Sequence, residues 1–230
     1  MRCENLENLN LIHKVFIEND SYVYILKGIG VTIEITLLSV VFGTILGGIV
    51  CFFRMGQNKF LKCVASAYIA ILRGSPVLML LMLLFYGVFA KSGFAPVTVA
   101  IFAFSMHASA HIAEIFRSAI SATDYGQVEA ARTLGFSKTE AFRLITLPQL
   151  TRIARPVYQS AIINLLQWTS VVGYISITDL TRVIYNTASR TMQPFITIFG
   201  GMIIYLLISY IIYGIFAYIE RNEEREGETL

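Results

Sequence analysis

The chain predicts an all-α integral membrane fold of five transmembrane helices, and three observations carry that reading. Of its 230 residues 56% are hydrophobic and only 14% charged, where a soluble domain carries about a quarter charged. Mean hydropathy is +0.65, with the apolar residues gathered into five stretches, each near or above the ~20 residues that cross a ~30 Å hydrocarbon layer. Lys and Arg are concentrated in two of the four connections between those stretches.

The stretches run from about Gly28 to Phe53, Val64 to Phe89, Phe94 to Phe116, Pro156 to Ile177 and Phe195 to Ile219. The first carries Ser39, Gly43 and Gly47 at intervals of four, a small-residue face that lets helices approach closely. The second contains Pro76, which predicts a bend or break near Arg73-Gly74-Ser75. The fourth is the least apolar, with Gln159, Asn164, Gln167, Thr169 and Ser170. Arg54, Lys59 and Lys62 fill the first connection, and Arg117, Arg132, Lys138, Arg143, Arg152 and Arg155 the third. The second holds Lys91, and the fourth Arg182 and Arg190. By the positive-inside rule connections one and three are cytoplasmic, the N-terminal segment 1–27 is external and the acidic tail 220–230 is internal. The whole of 1–230 forms one membrane domain.

Glu4, Glu7, Glu18 and Asp20 interrupt the first stretch of chain, so no cleavable signal peptide is visible. Leu6, Leu9, Ile12 and Phe16 can line one face of a surface helix, the alternative being a loosely ordered tail. Cys3, Cys51 and Cys63 have no ligand spacing and read as small apolar residues. A net charge of +3 gives no argument for a nucleic-acid partner.

Between the third and fourth stretches, residues 118–155 form a charged helical hairpin. Asp124, with Gln127 three residues on, caps a first short helix that Gly135 ends. Ser137-Lys138-Thr139-Glu140 is a capping box that starts a second, and Pro148 and Pro156 mark its exit and the entry to the fourth span. Val128, Ala131 and Leu134 share one face; Ala141, Phe142 and Ile145 cluster on the other helix. Apolar residues held among charges suit the groove of a soluble partner, or else pack back on the membrane domain.

Ionisable groups at membrane depth are costly and face a cavity or one another. Glu34, Arg73, His107, His111 and Glu114 are the candidates, with Glu114 and Arg117 spaced to pair near the membrane surface. His107 and His111 share a helical face, but no third ligand at a telling spacing makes them a metal site.

These residues carry a resemblance. Glu129-Ala130-Ala131, then Gly135, then Ile145 and Leu147-Pro148 resemble the EAA signature of ABC importer permeases. Arg73-Gly74-Ser75-Pro76 resembles the Arg-Gly-Thr-Pro element of the polar amino-acid uptake family, and Ile112 to Arg117 resembles the stretch before its hairpin. The likeness covers about residues 22–220. It implies the type I importer fold and a permease that pairs with a second copy or a paralogue. Two ATP-binding subunits would dock at Glu129, Ala130, Ala131, Leu134, Gly135 and Phe142, and an external solute-binding protein would deliver a polar amino acid. No Walker A loop is present, so the resemblance puts ATP and Mg in the partner, with no cofactor or catalytic site here. Gln167-Trp168-Thr169-Ser170 stands where these permeases often have Lys-Asp-Thr-Ser, an element of the translocation path. Thr169 and Ser170 match; Gln167 and Trp168 depart. With Arg73 and Glu34 these four form the candidate substrate path. An ion-coupled secondary transporter and a non-transporting membrane receptor are the rival readings.

Overall fold

The computed structural model describes residues 20–228 and contains no strand among them. The helices are α1 (Ser21–Met55), α2 (Lys59–Gly74), α3 (Val77–Met82), α4 (Pro96–Ser121), α5 (Tyr125–Thr133), α6 (Lys138–Ala141), α7 (Leu147–Trp168), α8 (Leu180–Thr191) and α9 (Pro194–Glu228). A π-helical turn, Leu83–Val88, prolongs α3; another, Phe142–Thr146, joins α6 to α7; a 3-10 helix, Thr169–Ile175, prolongs α7. Helices α1, α4 and α9 are each long and apolar enough to cross a membrane unbroken. The bent pairs α2–α3 and α6–α8 supply two more candidate spans. The described residues thus hold three continuous candidate spans, and the expected five where each bent pair is counted as one span.

Several boundaries differ from the hydropathy reading, each for a local reason. Helix α1 starts seven residues before Gly28, because nothing between Ser21 and Lys27 breaks a helix although Tyr and Lys lower the local hydropathy. Pro76 breaks the second span as expected: α2 ends at Gly74 with extended backbone at Ser75, whose hydroxyl donates back to the Ile71 carbonyl. Pro156 does not open the fourth span. It lies inside α7, which starts at Leu147 with Pro148 in its first turn, a place where the missing N–H costs nothing. The chain breaks later, at Ser176–Asp179, with Ser176 at φ 65°. There α8, an amphipathic helix absent from the sequence reading, begins with Asp179 accepting from the Thr181 and Arg182 amides. Helix α9 runs on through the segment expected as a tail. The surface helix expected around Leu6 to Phe16, and Cys3, lie outside the described residues.

The chain forms two compact units. One comprises Ser39–Val77 and Phe102–Ile162. In it α1 and α4 pack backbone to backbone: a Cβ at Gly43 would stand 3.1 Å from the Ala108 Cβ, and one at Gly47 3.0 Å from Ile112 and from the Ser109 carbonyl. Ser39 on the same face is fully buried. At the end of the seam Glu114 accepts from Arg117 on its own helix, through Nε at 3.0 Å, and lies 3.6 Å from Arg54 on α1. The expected Glu114–Arg117 pair thus gains a third member. Tyr68 of α2 joins α4 by a 2.8 Å bond to the Ser109 hydroxyl, and Tyr158 of α7 joins α1 by a 2.7 Å bond to Thr44. Leu150 and Ala154 of α7 pack on Ala119.

The other unit comprises the chain up to Leu38, Leu78–Ile101 and the chain from Ile163 onward. Its core is Ile25, Leu180, Val183 and Ile184, with Ile204, Tyr205 and Ile208 of α9 against it. Gly28 lets α1 meet the start of α8, and Gly201 lets α9 meet Ile184. Burial reaches 61% along α4 but only 11% along α9, so most of α9 is left for lipid or another chain.

Replacing Gly47 by Leu forces atoms into Ile112 and the Ser109 carbonyl, and overpacking of this kind costs about 1–3 kcal/mol. Gly30, on the same helix, has nothing within 4 Å of its Cβ position. Thermal unfolding in detergent should show Gly47→Leu clearly destabilised and Gly30→Leu close to wild type; equal melting of the two would contradict the seam.

Candidate functional site: the hairpin and the polar cavity

The hairpin is built from caps. Asp124 accepts from the Gly126 amide at 2.9 Å to start α5. Gln127 does not reach back to complete a box. Gln149, which sequence reasoning missed, takes that place from the start of α7: its Oε1 accepts from the Asp124 amide at 3.1 Å and its Nε2 donates to Gln127 at 2.8 Å. One amide side chain therefore closes the hairpin across 25 residues. No local spacing signals a contact of that range.

Helix α5 ends in a Schellman turn. The Phe136 amide donates to the Ala131 carbonyl at 3.1 Å and the Gly135 amide to that of Arg132 at 3.2 Å, with Gly135 at φ +95°. Arg132 also donates to the Phe136 carbonyl. Two residues on, the Ser137 hydroxyl accepts from the Glu140 amide at 3.2 Å while Glu140 accepts from the Ser137 amide at 2.7 Å. Ala131 and Ala141 are buried; Glu129, Ala130, Leu134 and Phe142 are exposed. Leu134, at the tip, is 80% exposed, and Phe136 and Leu144 add to the apolar surface. Of the six residues expected at a docking site, Ala131 and Gly135 shape the hairpin while the other four present side chains outward.

The candidate path residues are distributed over both units. Arg73 is exposed at the end of α2, within electrostatic range of His111 and Glu114. His111 lies with its ring centroid 5.1 Å from that of His107, and no group of three or more potential metal ligands exists among the described residues. Glu34 is exposed on α1 in a stripe with Leu37, Leu38 and Val41, opposite the buried Thr32, Ile35 and Thr36. Gln167 is exposed and lines a cavity of about 630 Å³ between α7 and α9, together with Tyr205, Ser209, Tyr210 and Tyr213. Trp168 and Ser170 are half-buried. Thr169 is fully buried, its hydroxyl donating to the Leu166 carbonyl at 2.6 Å. It therefore faces protein, and its link to the cavity is through Tyr205, with whose hydroxyl it interacts.

Tyr205 is the hub that sequence reading overlooked. Its hydroxyl bonds Thr181 at 2.8 Å and lies 3.5 Å from the Asp179 carboxylate. Thr32 belongs to the same network, accepting from the Leu180 amide at 3.2 Å. Asp179 and Thr32 are fully buried, so the cavity wall is fixed by hydrogen bonds rather than by apolar contact alone. An Asp before an amphipathic stretch is a readable cap signal, but nothing marked Tyr205 among the twelve tyrosines.

The hydrogen bonds from Ser137 hold the Glu140 carboxyl below its ordinary value of 4.5. A depressed carboxyl stabilises the fold above its unfolded value, and that contribution is lost as pH falls through the lowered folded one. Amide protection over 138–141, corrected for intrinsic exchange, should therefore fall on acidification below the carboxylate range. Glu140→Gln, which keeps an acceptor that does not titrate there, should flatten the profile. Matching profiles for the two proteins would contradict the box as a titrating contact.

Residues 39–225 match the family model described as binding-protein-dependent transport system inner membrane component. The chain is 39% identical over 165 residues to the probable amino-acid ABC transporter permease protein YckA of Bacillus subtilis, covering 71% of this chain and 73% of that protein. It is 32% identical over 214 residues to the histidine/lysine/arginine/ornithine transport system permease protein HisM of Salmonella typhimurium, covering 86% and 89%. Among solved structures it resembles an amino acid ABC transporter crystallised with histidines, at TM-score 0.78 and 31% identity, covering 87% of this chain and 94% of that one. The MetNI methionine ABC transporter, at TM-score 0.75 and 20% identity, shares the fold. With the family model spanning most of its length, this multi-pass chain belongs to the binding-protein-dependent transport system inner membrane components, the permeases of ABC importers.

Proposed function

We propose that the chain is a permease subunit that moves a polar amino acid into the cytoplasm by alternating access, driven by ATP hydrolysis in separate partner chains. The observation that carries this reading is the capped hairpin. It is a short, charged, capped element with an exposed apolar tip, in a chain whose long helices are largely apolar, and it bears Glu129-Ala130-Ala131 and Gly135 in the order of the EAA signature. In this reading two ATP-binding subunits, which hold ATP and Mg, engage Glu129, Ala130, Leu134 and Phe142. Caps at both ends make the hairpin a stiff lever, so movement of a docked partner is passed to α4 and α7 rather than absorbed. A second permease copy or paralogue completes the path, and an external solute-binding protein supplies the substrate. In this reading the N-terminus is outside and the C-terminus inside, which the Lys and Arg distribution supports.

The substrate class follows from the relatives' printed substrates and from the cavity beside Gln167. The Gln167 amide and the Tyr210 and Tyr213 hydroxyls, on an otherwise apolar wall, can both donate to a carboxylate and accept from an ammonium group, while Tyr205 and Ser209 are held by hydrogen bonds within the wall. Arg73 and Glu34 remain proposed path residues of opposite charge, Trp168 and Ser170 flank the cavity residue Gln167, and Thr169 supports it through Tyr205.

Two outcomes test this with the complete complex in proteoliposomes. Gly135→Val places a β-branched residue in the left-handed region, where even an ordinary L-residue costs roughly 1–2 kcal/mol. It should lower both uptake and transport-linked ATP hydrolysis, whereas Gly135→Asn should retain most of each; normal coupled uptake by the Val variant would sink the docking assignment. Gln167→Leu removes a hydrogen bond of about 0.5–1.5 kcal/mol and should raise the KM for amino-acid uptake by roughly 2- to 10-fold while leaving ATPase assembly intact. An unchanged KM would remove Gln167 from the path.

A further inference from the structure

At the Arg54 end of α1, within the unit that carries the hairpin, lies a second cavity, of about 640 Å³. Gly48, Cys51 and Phe52 of α1, Phe116 of α4, and Leu147 and Leu150 of α7 form its walls. The lining is almost all carbon and sulfur. Cys51 points its thiol at the Met55 sulfur, 3.9 Å away, and the Thr151 hydroxyl is committed to the Pro148 carbonyl at 2.8 Å. Such a wall offers nothing to a polar solute, so this is not a second place for an amino acid. It is open at the protein surface, where Phe52 and Leu147 are exposed.

The rim is different. Arg54 lies two residues from Phe52, Lys59 and Lys62 follow Gly56, Arg143 follows Phe142, and Arg152 follows Thr151. Arg54 is engaged by Glu114. Lys59, Lys62, Arg143 and Arg152 are all exposed and make no ion pair among the described residues. Of the acidic side chains of this region, Glu114 meets two arginines, and Asp124 and Glu140 are held at helix caps away from these four cations. Over residues 54–62 and 114–155 nine Lys and Arg stand against four Asp and Glu, so this end of the unit keeps an excess of positive charge.

An apolar slot at the end of a candidate span, whose lining residues are followed in the chain by exposed cations, matches a molecule with an acyl tail and an anionic head. We propose that this cavity binds an anionic phospholipid of the adjacent leaflet, with an acyl chain between α1, α4 and α7 and the phosphate among Lys59, Lys62, Arg143 and Arg152. Because Leu147 and Leu150 belong to the wall, the lipid seats the base of the hairpin against α1 and α4. The proposal does not depend on which solute is carried.

Native mass spectrometry of the purified complex, taken from nanodiscs of equal phosphatidylglycerol and phosphatidylcholine, tests it. Wild type should retain phosphatidylglycerol in preference to phosphatidylcholine. Gly48 has nothing within 4 Å of its Cβ position, so Gly48→Trp can fill the slot, and it should lose the retained lipid while Gly30→Trp keeps it. The surface variant Lys59→Gln/Lys62→Gln/Arg152→Gln, which leaves the walls alone, should retain the two lipids equally. Equal retention of both lipids by wild type, or undiminished phosphatidylglycerol preference in that triple variant, would overturn the proposal. So would full lipid retention by Gly48→Trp.

Discussion

The close approach of α1 and α4 at Gly43 and Gly47 is the contact on which the functional elements of the hairpin-bearing unit depend. Two helices in hydrocarbon gain little from hiding apolar surface, since lipid is as apolar as their side chains, and so they associate through tight packing and internal hydrogen bonds. Here the absent side chains bring backbone within van der Waals reach of Ala108, Ser109 and Ile112. Tyr68 and Tyr158 then tie α2 and α7 to the seam through hydroxyl groups. The Glu114 carboxylate locks its end by meeting Arg54 and Arg117 together. The hairpin leaves from the end of α4 and returns along α7, whose Leu150 and Ala154 pack on Ala119. Its position is thus inherited from the seam.

The polar groups within the chain obey the same constraint in two ways. Several of the buried ones join one hydrogen-bonded network: Asp179 caps α8, Thr32 receives the Leu180 amide, and Tyr205 bridges Thr181 and Asp179. Where they are not buried they line a cavity, as Gln167 and Ser209 do, or lie at a helix end, as Arg73 does. Glu34 is the exception, a carboxylate on an outward apolar stripe of α1. A charge in that position is costly in lipid unless headgroups, protein or water meet it.

Much of this was legible in the sequence because it is written in local spacing. Glycines every four residues announced the seam, Pro76 the break in the second span, and Ser137 with Glu140 the capping box. Gly135 marked a left-handed helix stop because few other residues adopt that backbone without strain. The failures share a cause. Hydropathy does not register a helix that continues through polar residues, so α1 and α9 were read short and α7 was started at Pro156 rather than Leu147. The amphipathic α8 was hidden in a connection by its low mean hydropathy. Contacts between distant residues, Gln149 with Asp124 and Tyr205 with Asp179, leave no trace in spacing. Thr169 looked like a cavity residue from its place in a motif, but the 3-10 winding after Trp168 turns it into the protein.

The central claim is that the hairpin is the surface at which a soluble ATP-binding chain meets this permease. Placing a photoreactive amino acid at Leu134 in the intact cell, irradiating, and identifying the cross-linked chain by mass tests it most directly. The account predicts a cross-link to an ATP-binding subunit from position 134, and none from the same group placed at Ile198 on the exposed face of α9. Capture of the ATP-binding chain from position 198 but not from 134, in a complex that still transports, would contradict it.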